Sequence, residues 1–110
     1  MKDQFEVWDY NFPVKGLHPV VLISHPDRCA HAKVVNVLFC TSQRQSRPPY
    51  ANEVMLDASD GLSWETLCDC SIMYAVESAG LSNRHGVVTP LRRNAIREKV
   101  RDMFLLAERD

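Results

Sequence analysis

Short β-type segments alternate with turns along the first two thirds of the chain. Each segment is rich in apolar and β-branched residues and is bounded by proline, glycine or polar residues, which is typical of strands in a small β domain. The segments cover residues 6–12, 18–24, 33–41, 52–57 and 66–76. A mostly β (α+β) fold follows, with a small, strongly bent sheet or barrel.

The last part of the chain changes to a helical pattern. Thr89 and Pro90 form a helix-start signal, because threonine is a favoured N-cap and proline is favoured at the first helical position. Apolar residues then recur close to a helical period, and arginines recur on another face. The apolar positions are Leu91, Ile96, Val100, Met103 and Ala107, and the arginines are Arg93, Arg97 and Arg101. We predict one amphipathic helix from about residue 90 to residue 107 that caps the sheet.

The first two segments have different burial patterns. In the first segment Trp8, Tyr10 and Phe12 should lie on one side of the strand, with Asp9 and Asn11 on the other. The second segment, HPVVLIS, is a continuous apolar run, which predicts a strand buried on both faces.

The length and the net charge of the chain limit the possible functions. The chain has 110 residues, so we expect a single domain over residues 1–110. Its formal net charge of −1 offers no whole-chain argument for nucleic acid, so any such surface must be local. No apolar run approaches the roughly 20 residues that cross a bilayer, and the start MKDQFEVWDYNF does not resemble a signal peptide. We expect a cytoplasmic protein with reduced cysteines.

The segment 41–52, TSQRQSRPPYAN, is too long for a tight hairpin. It contains Arg44 and Arg47 and no acid, and arginine binds phosphate through a planar fork of donors. Tyr50 offers a ring on which an unpaired base can stack. The alternative is a solvated polar loop stiffened by Pro48 and Pro49.

The fifth segment carries a polar pair. Side chains alternate along a strand, so Asp69 and Ser71 should project together from one face, which they share with Met73. The opposite, core face is formed by Cys68, Cys70, Ile72, Tyr74 and Val76. An ordinary solvent-facing pair is the alternative for Asp69 and Ser71. We expect no metal site, because cysteines on an apolar strand face usually behave as small hydrophobes and no zinc-type spacing occurs.

Two histidines lie where chemistry is possible. His18 precedes the second strand after the turn at Gly16, and His85 lies in the basic turn NRHG. Imidazole serves as an acid or base near neutral pH. A surface polar group is the alternative in both cases. We expect His25 and His31 to lie in a loop without a functional pattern.

Several of these features occur in an order that resembles the MazF/PemK (Kid-like) toxins of type II toxin–antitoxin systems. The matching pieces are EVW, PVVLIS, a strand ending in Thr-Ser, a basic loop leading to NEVML, a strand containing Cys-Asp, and RHGVVTPLRRNAI before the last helix. The resemblance covers nearly the whole chain. It implies an SH3-like barrel with a C-terminal helix, a homodimer, and a cognate antitoxin whose disordered tail fills the RNA groove.

The resemblance also implies an activity. Such toxins are metal-independent endoribonucleases (mRNA interferases) that cut single-stranded RNA with its 2′-hydroxyl as the nucleophile, leaving a cyclic phosphate and a free 5′-hydroxyl. The family's catalytic threonine or serine falls on Thr41, with Ser42 beside it. His18 stands where the family often has an arginine, so Thr41 and His18 are the predicted catalytic residues and no cofactor is expected.

The fifth segment departs from the family pattern. By strand alternation, Met73 occupies the position of an arginine that many members carry, and a thioether cannot neutralise a phosphorane. We therefore expect RNA binding or phosphate stabilisation from the loops and from the polar pair. The predicted residues are Ser42, Gln43, Arg44, Arg47, Asp69, Ser71 and Arg84.

Two other functions remain open at this point. A non-enzymatic toxin of the same fold could bind and poison a protein such as DNA gyrase, and the missing strand arginine favours a binding role. Relatives of that kind rely on residues after the helix, commonly an aromatic, whereas this chain ends in LLAERD. The other alternative is a β-barrel interaction module.

Overall fold

The computed structural model describes residues 1–43 and 47–106, and most of these residues form one six-stranded antiparallel sheet with a C-terminal helix. The strands are β1 (Glu6–Phe12), β2 (Gly16–Leu22), β3 (Val34–Ser42), β4 (Glu53–Leu56), β5 (Thr66–Glu77) and β6 (Ser82–Val87). The helices are α1 (Pro26–His31), α2 (Pro90–Met103) and the 3-10 turns Ala58–Asp60 and Ser78–Gly80. The predicted class and the five predicted strands are confirmed. No helix in the described part is long and apolar enough to cross a membrane.

The sheet curls so that its two edges approach each other. The strand order is β4-β5-β3-β2-β1-β6, yet Val54 of the first edge and Val88, just after the last strand, lie in the same buried cluster. Gly61, with φ of 95°, lies against the backbone of His85, and any side chain at this glycine would collide with the His85 carbonyl oxygen. Glycine is therefore required where the two edges meet.

Apolar side chains cover both sides of the curled sheet. The second side carries an aromatic cluster that includes Trp8, Tyr10 and Phe12, which confirms their predicted common face. The burial of β2 on both faces is also confirmed, because Val20 packs into this cluster and Val21 into the first one.

The helix α2 begins as predicted, with Thr89 at the N-cap and Pro90 at the first position. Thr89 makes no side-chain cap, and its backbone N–H donates instead to the buried carboxylate of Asp60 at 2.9 Å. The helix ends at Met103, and Ala107 lies outside the described residues.

The apolar stripe of α2 is narrower than predicted. Ile96 is fully buried, with Ala95 and Val100 packed beside it, but Leu91 is 81% exposed. Leu91 lies five positions before Ile96, which places it about 140° away around a helix with 3.6 residues per turn. Including Leu91 in the core face was wrong.

Two short elements were not predicted. The sequence of β6, SNRHGV, is mostly polar and has no alternation, so only its pairing with β1 makes it a strand. The expected loop around His25 and His31 contains α1, with Pro26 at its start, a His25 side-chain cap and Cys29 buried beneath it. Six residues are too few to show a helical period.

The predicted alternation along β5 is wrong at its middle. Phe39 of β3 pairs with Asp69, but the preceding Leu38 pairs with Met73, so residues 70–72 lie opposite a single step of β3. An odd number of inserted residues reverses the faces of the strand. Cys68, Cys70 and Met73 therefore pack in the buried cluster that contains Val54. Ile72, Tyr74 and Val76 pack in the aromatic cluster on the other side of the sheet. Met73 does not share a face with Asp69.

Candidate functional site

A cleft of about 690 Å³ opens at the end of the sheet where β2 begins and β3 ends. It brings together polar side chains that are far apart in the sequence. The lining residues are His18 with its neighbours Leu17 and Pro19, Thr41 and Ser42, Asp9, Asn83 and His85, and Leu62, Ser63 and Trp64. Three of the predicted site residues, His18, Thr41 and Ser42, thus line one cleft.

The end of β3 presents two hydroxyl groups. Thr41 is exposed, and its hydroxyl has no hydrogen-bond partner in the described part of the chain. The Ser42 hydroxyl accepts a hydrogen bond from the indole N–H of Trp64 at 2.7 Å. Trp64 is 59% exposed, so a large aromatic surface lies beside the two hydroxyls.

His18 is held on both sides by backbone oxygens. Its Nδ1 lies 3.1 Å from the Cys40 carbonyl and its Nε2 lies 3.0 Å from the Lys15 carbonyl. Carbonyl oxygens only accept hydrogen bonds, and only the imidazolium form has two N–H groups to donate. The ring also packs against Phe39, with centroids 4.6 Å apart. His18 is therefore placed to donate N–H hydrogen bonds, and each of its ring nitrogens already has a carbonyl partner.

The basic loop is partly described. Arg44 lies outside the described residues. Arg47 stacks on the ring of Tyr50 and donates two hydrogen bonds to Glu53, at 2.8 and 3.2 Å. Gln43 leads into this loop, and its amide donates to the Arg47 carbonyl at 3.0 Å. The Arg47 guanidinium is therefore already paired with a carboxylate, and the hydrogen bond from it holds the pKa of Glu53 below its usual range.

Asp69 and Ser71 lie beside β4 and do not line the cleft. The Asp69 carboxylate accepts hydrogen bonds from the Ser71 hydroxyl at 2.6 Å, the Ser71 N–H at 2.9 Å and the Asn52 amide at 2.8 Å. Burial acts to raise the pKa of Asp69, but these hydrogen bonds outweigh it and the pKa is lowered. The two residues form a closed local network.

Arg84 also lies outside the cleft, on the strand that supplies two cleft residues. Its guanidinium donates to the Glu6 carboxylate at 2.8 Å, and its side chain is 47% exposed. Burial acts to raise the pKa of Glu6, yet hydrogen bonds from Arg84, the Asp3 N–H and Trp8 lower it overall.

The cleft residues outside the predicted site include Asp9, Trp64, Asn83 and His85, of which only His85 had been noted as a possible acid or base. His85 Nε2 lies 2.7 Å from Oδ1 of Asp9, and the Asn83 amide donates to Oδ2 at 3.0 Å. The available signal was an acid within an apolar strand and a histidine in a basic turn, but their pairing depends on the unpredicted β6.

The cysteines do not form a metal site in the described region. No group of three or more histidine, cysteine or acidic side chains there is placed to hold a metal ion. Cys68 and Cys70 are fully buried, and a hydrogen bond with Cys68 together with burial raises the pKa of Cys70. Thiolates are the form that binds metals, so these buried thiols act as packing residues.

The fold and sequence identify the family. A family model described as PemK-like, MazF-like toxin of type II toxin-antitoxin system matches residues 3–104. The chain therefore belongs to this toxin family, which confirms the resemblance seen in the motifs. A comparison with curated proteins finds no significant sequence match.

Solved structures share the fold at low sequence identity. An endoribonuclease in complex with its cognate antitoxin from a mycobacterial species aligns with a TM-score of 0.81 at 19% identity, covering 99% of this chain and 100% of that one. The Mycobacterium tuberculosis toxin MazF-mt6 aligns with a TM-score of 0.78 at 19% identity, covering 94% and 99%. A MazE-MazF structure from Deinococcus radiodurans aligns at 0.73 and 16%, covering 96% of each chain.

Proposed function

We propose that this toxin is a metal-independent endoribonuclease that cuts single-stranded RNA by attack of the 2′-hydroxyl on the neighbouring phosphate. The observation that carries the proposal is the cleft in which His18, Thr41 and Ser42 meet beside the exposed ring of Trp64. A cleft of this kind provides hydroxyl and N–H donors for a phosphate and an aromatic surface for an unpaired base.

Thr41 and His18 are the proposed catalytic residues. The Thr41 hydroxyl is exposed and without a partner in the described part of the chain, so it is available to donate to a phosphate oxygen. His18 supplies N–H donors, and positive charge when it is protonated, at the position where the family often has arginine. To contact phosphate directly, it exchanges one of its two carbonyl partners for a phosphate oxygen. Donors placed where charge develops stabilise the phosphorane.

The remaining predicted residues are proposed to bind the RNA on either side of the cleft. Ser42 and Gln43 follow Thr41 directly in the sequence, and Arg44 comes next. Arg47 binds a phosphate by exchanging its contacts with Glu53. Asp69, Ser71 and Arg84 lie farther out, and a carboxylate such as Asp69 suits base amino groups better than phosphate.

The partners are proposed from membership of the toxin family. We propose that residues 1–110 act as one toxin domain, that two copies form a homodimer, and that a cognate antitoxin blocks the RNA groove in the cytoplasm. Among the similar structures, the mycobacterial endoribonuclease is in complex with its cognate antitoxin. Sedimentation analysis of the purified chain tests the dimer, and loss of cleavage on addition of a candidate antitoxin tests the inhibition.

The activity is tested with purified protein and a long single-stranded RNA in EDTA. The expected result is discrete cuts with cyclic phosphate and 5′-hydroxyl ends, and intact RNA at high protein concentration would refute the nuclease. In cells, Thr41→Ala combined with His18→Ala should relieve growth arrest, whereas His31→Ala, an exposed position outside the cleft, should not. Thr41→Ala alone serves as a second variant because it leaves the His18 contacts intact. A folded double variant that stays fully toxic would exclude this site.

A further inference from the structure

Three side chains from β1 and β6 form a connected array in the cleft wall. The Asp9 carboxylate is 8% exposed, and each of its oxygens has a partner, His85 on one side and Asn83 on the other. Burying a carboxylate is costly unless it is hydrogen-bonded, so the bonds from His85 and Asn83 are needed to stabilise Asp9 in the cleft wall. Neither pairing can be inferred from sequence distance, since 76 residues separate Asp9 from His85.

The backbone holds the array in place. The pairing of β1 with β6 shifts register between Val7 and Asp9, and such irregularities re-aim side chains. Asn83 adopts φ of 48°, in the left-handed region that asparagine enters more readily than most residues with a side chain. Gly86 packs directly on the Asp60 backbone, which fixes β6 against the turn that follows β4. The geometry of His85 is therefore preorganised.

The carboxylate also selects the protonation pattern of the imidazole. A carboxylate only accepts hydrogen bonds, so Nε2 of His85 carries the hydrogen shared with Asp9. In the neutral ring Nδ1 is then unprotonated, and it has no hydrogen-bond partner within the described residues. His85 differs in this respect from His18, which has a carbonyl at both nitrogens. Of these two cleft histidines, only His85 has a ring nitrogen without a hydrogen-bond partner within the described residues.

We propose that His85, oriented by Asp9 and Asn83, is the general base of the cleavage reaction. This inference rests on the proposed function. Neutral His85 accepts the 2′-hydroxyl proton at Nδ1 while the O2′–P bond forms and the P–O5′ bond breaks. The 5′-oxygen leaves with a proton taken from water, and the resulting imidazolium, stabilised by Asp9, returns its proton to solvent. The products are the cyclic phosphate and the 5′-hydroxyl, and no metal or redox partner takes part.

Within the described residues, few other charged groups lie near His85. In the cleft these are Asp9 on β1 and His18 on β2. On β6 itself, Arg84 is paired with Glu6, and beneath Gly86 the Asp60 carboxylate is paired with Arg92. A general base must be unprotonated to act, so cleavage that depends on His85 should rise with pH, whereas loss of a proton from His18 would lower the rate.

The test compares wild type, His85→Gln and the control His31→Gln on a single-stranded RNA in EDTA over the pH range about 5 to 8. Glutamine can still donate to Asp9 but cannot transfer the proton. We expect His85→Gln to lower the cleavage rate by on the order of 100-fold and to remove the rise of rate with pH. Its binding to the same RNA made uncleavable with 2′-O-methyl groups should stay within about 3-fold of wild type, because the loss lies in chemistry rather than binding. The His31 control should match wild type.

The outcomes separate this inference from the proposed function. If wild type cuts RNA and folded His85→Gln cuts it at a similar rate with the same pH profile, the general-base role is refuted and the nuclease stands. If wild type leaves RNA intact, the nuclease itself fails and this inference with it. If His85→Gln does not fold, the Asp9→Asn variant is measured instead. It should lower the cleavage rate, because the imidazole loses the carboxylate that orients it, and an unchanged rate would overturn the proposal.

Discussion

The indole N–H of Trp64 donates a 2.7 Å hydrogen bond to the hydroxyl of Ser42, which ties the segment before β5 to the end of β3. This bond holds the exposed aromatic ring at the side of the cleft that also contains Thr41 and His18. The ring is thereby held next to the proposed reaction site, where an unpaired base can stack on it.

Removing this ring should weaken RNA binding. Base stacking on an aromatic side chain contributes about 1–3 kcal/mol, so Trp64→Ala should lower the affinity for uncleavable single-stranded RNA roughly tenfold. Trp64→Phe keeps an aromatic surface and loses only the bond to Ser42, so its affinity should stay within about 3-fold of wild type. Fluorescence anisotropy of labelled RNA measures both. Equal losses in the two variants would show that the hydrogen bond, rather than stacking, matters.

Variants of the Arg47–Glu53 pair should affect the stability of the fold and the affinity for RNA differently. Arg47→Ala leaves the buried Glu53 carboxylate without its main partner, so the urea midpoint of unfolding should fall. Adding Glu53→Gln removes the unpaired charge and should restore most of the midpoint. RNA affinity should stay low in both variants, because the phosphate-binding guanidinium is absent from each. Recovery of RNA affinity in the double variant would contradict the proposed role of Arg47.

Arg92 should be a main determinant of stability. Its guanidinium bridges Asp57, at 2.7 and 2.9 Å, and the fully buried Asp60, at 2.6 Å, and so joins α2 to the turn after β4. Arg92→Ala leaves the buried Asp60 carboxylate without a cationic partner and should lower the free energy of unfolding by about 3 kcal/mol. Arg101→Ala, at an exposed position of the same helix, should change it by less than about 0.5 kcal/mol. Urea titration compares the two, and equal effects would refute the bridge as a stabilising contact.

Acid should destabilise the fold through four carboxylates whose pKa values are lowered in the native state: Glu6, Glu53, Asp57 and Asp69. A lowered native pKa means that the unfolded chain binds protons more readily. The stability from these groups is therefore complete above their ordinary pKa values of 4.5 and 3.8 and is lost as pH falls through the lower native values. Urea midpoints between about pH 7 and pH 3 should decline below about pH 4.5.

A matched variant checks the origin of this decline. Glu53→Gln removes one of the four groups, so its stability should fall less steeply with acid than that of wild type, although it starts lower. A variant curve parallel to that of wild type would show that the Arg47–Glu53 pair does not contribute to the acid sensitivity.

Part of the candidate site could be predicted from the sequence. Thr41 and Ser42 were predicted from the family resemblance and lie at the end of a recognisable strand, and His18 lies at the start of another, so all three fall at strand limits that the sequence indicates. The contributions of Trp64 and Asp9 were beyond such reasoning, since each acts through a partner distant in the chain, and His85 was noted as a possible acid or base but without its partner Asp9. Arg47 was predicted as a cation, but its pairing with Glu53 depended on how the loop folds back.

Five strands, the start of α2 and the family can be inferred from the sequence alone, because alternation, turn residues and motif order are local properties of the chain. The strand β6, the reversal of faces within β5 and the array of Asp9 with His85 become visible in the folded chain. Each of these features depends on contacts between residues that are distant in the chain. A polar strand forms when a neighbour offers backbone hydrogen bonds, a bulge forms where two strands must bend together, and a buried carboxylate persists where distant donors reach it.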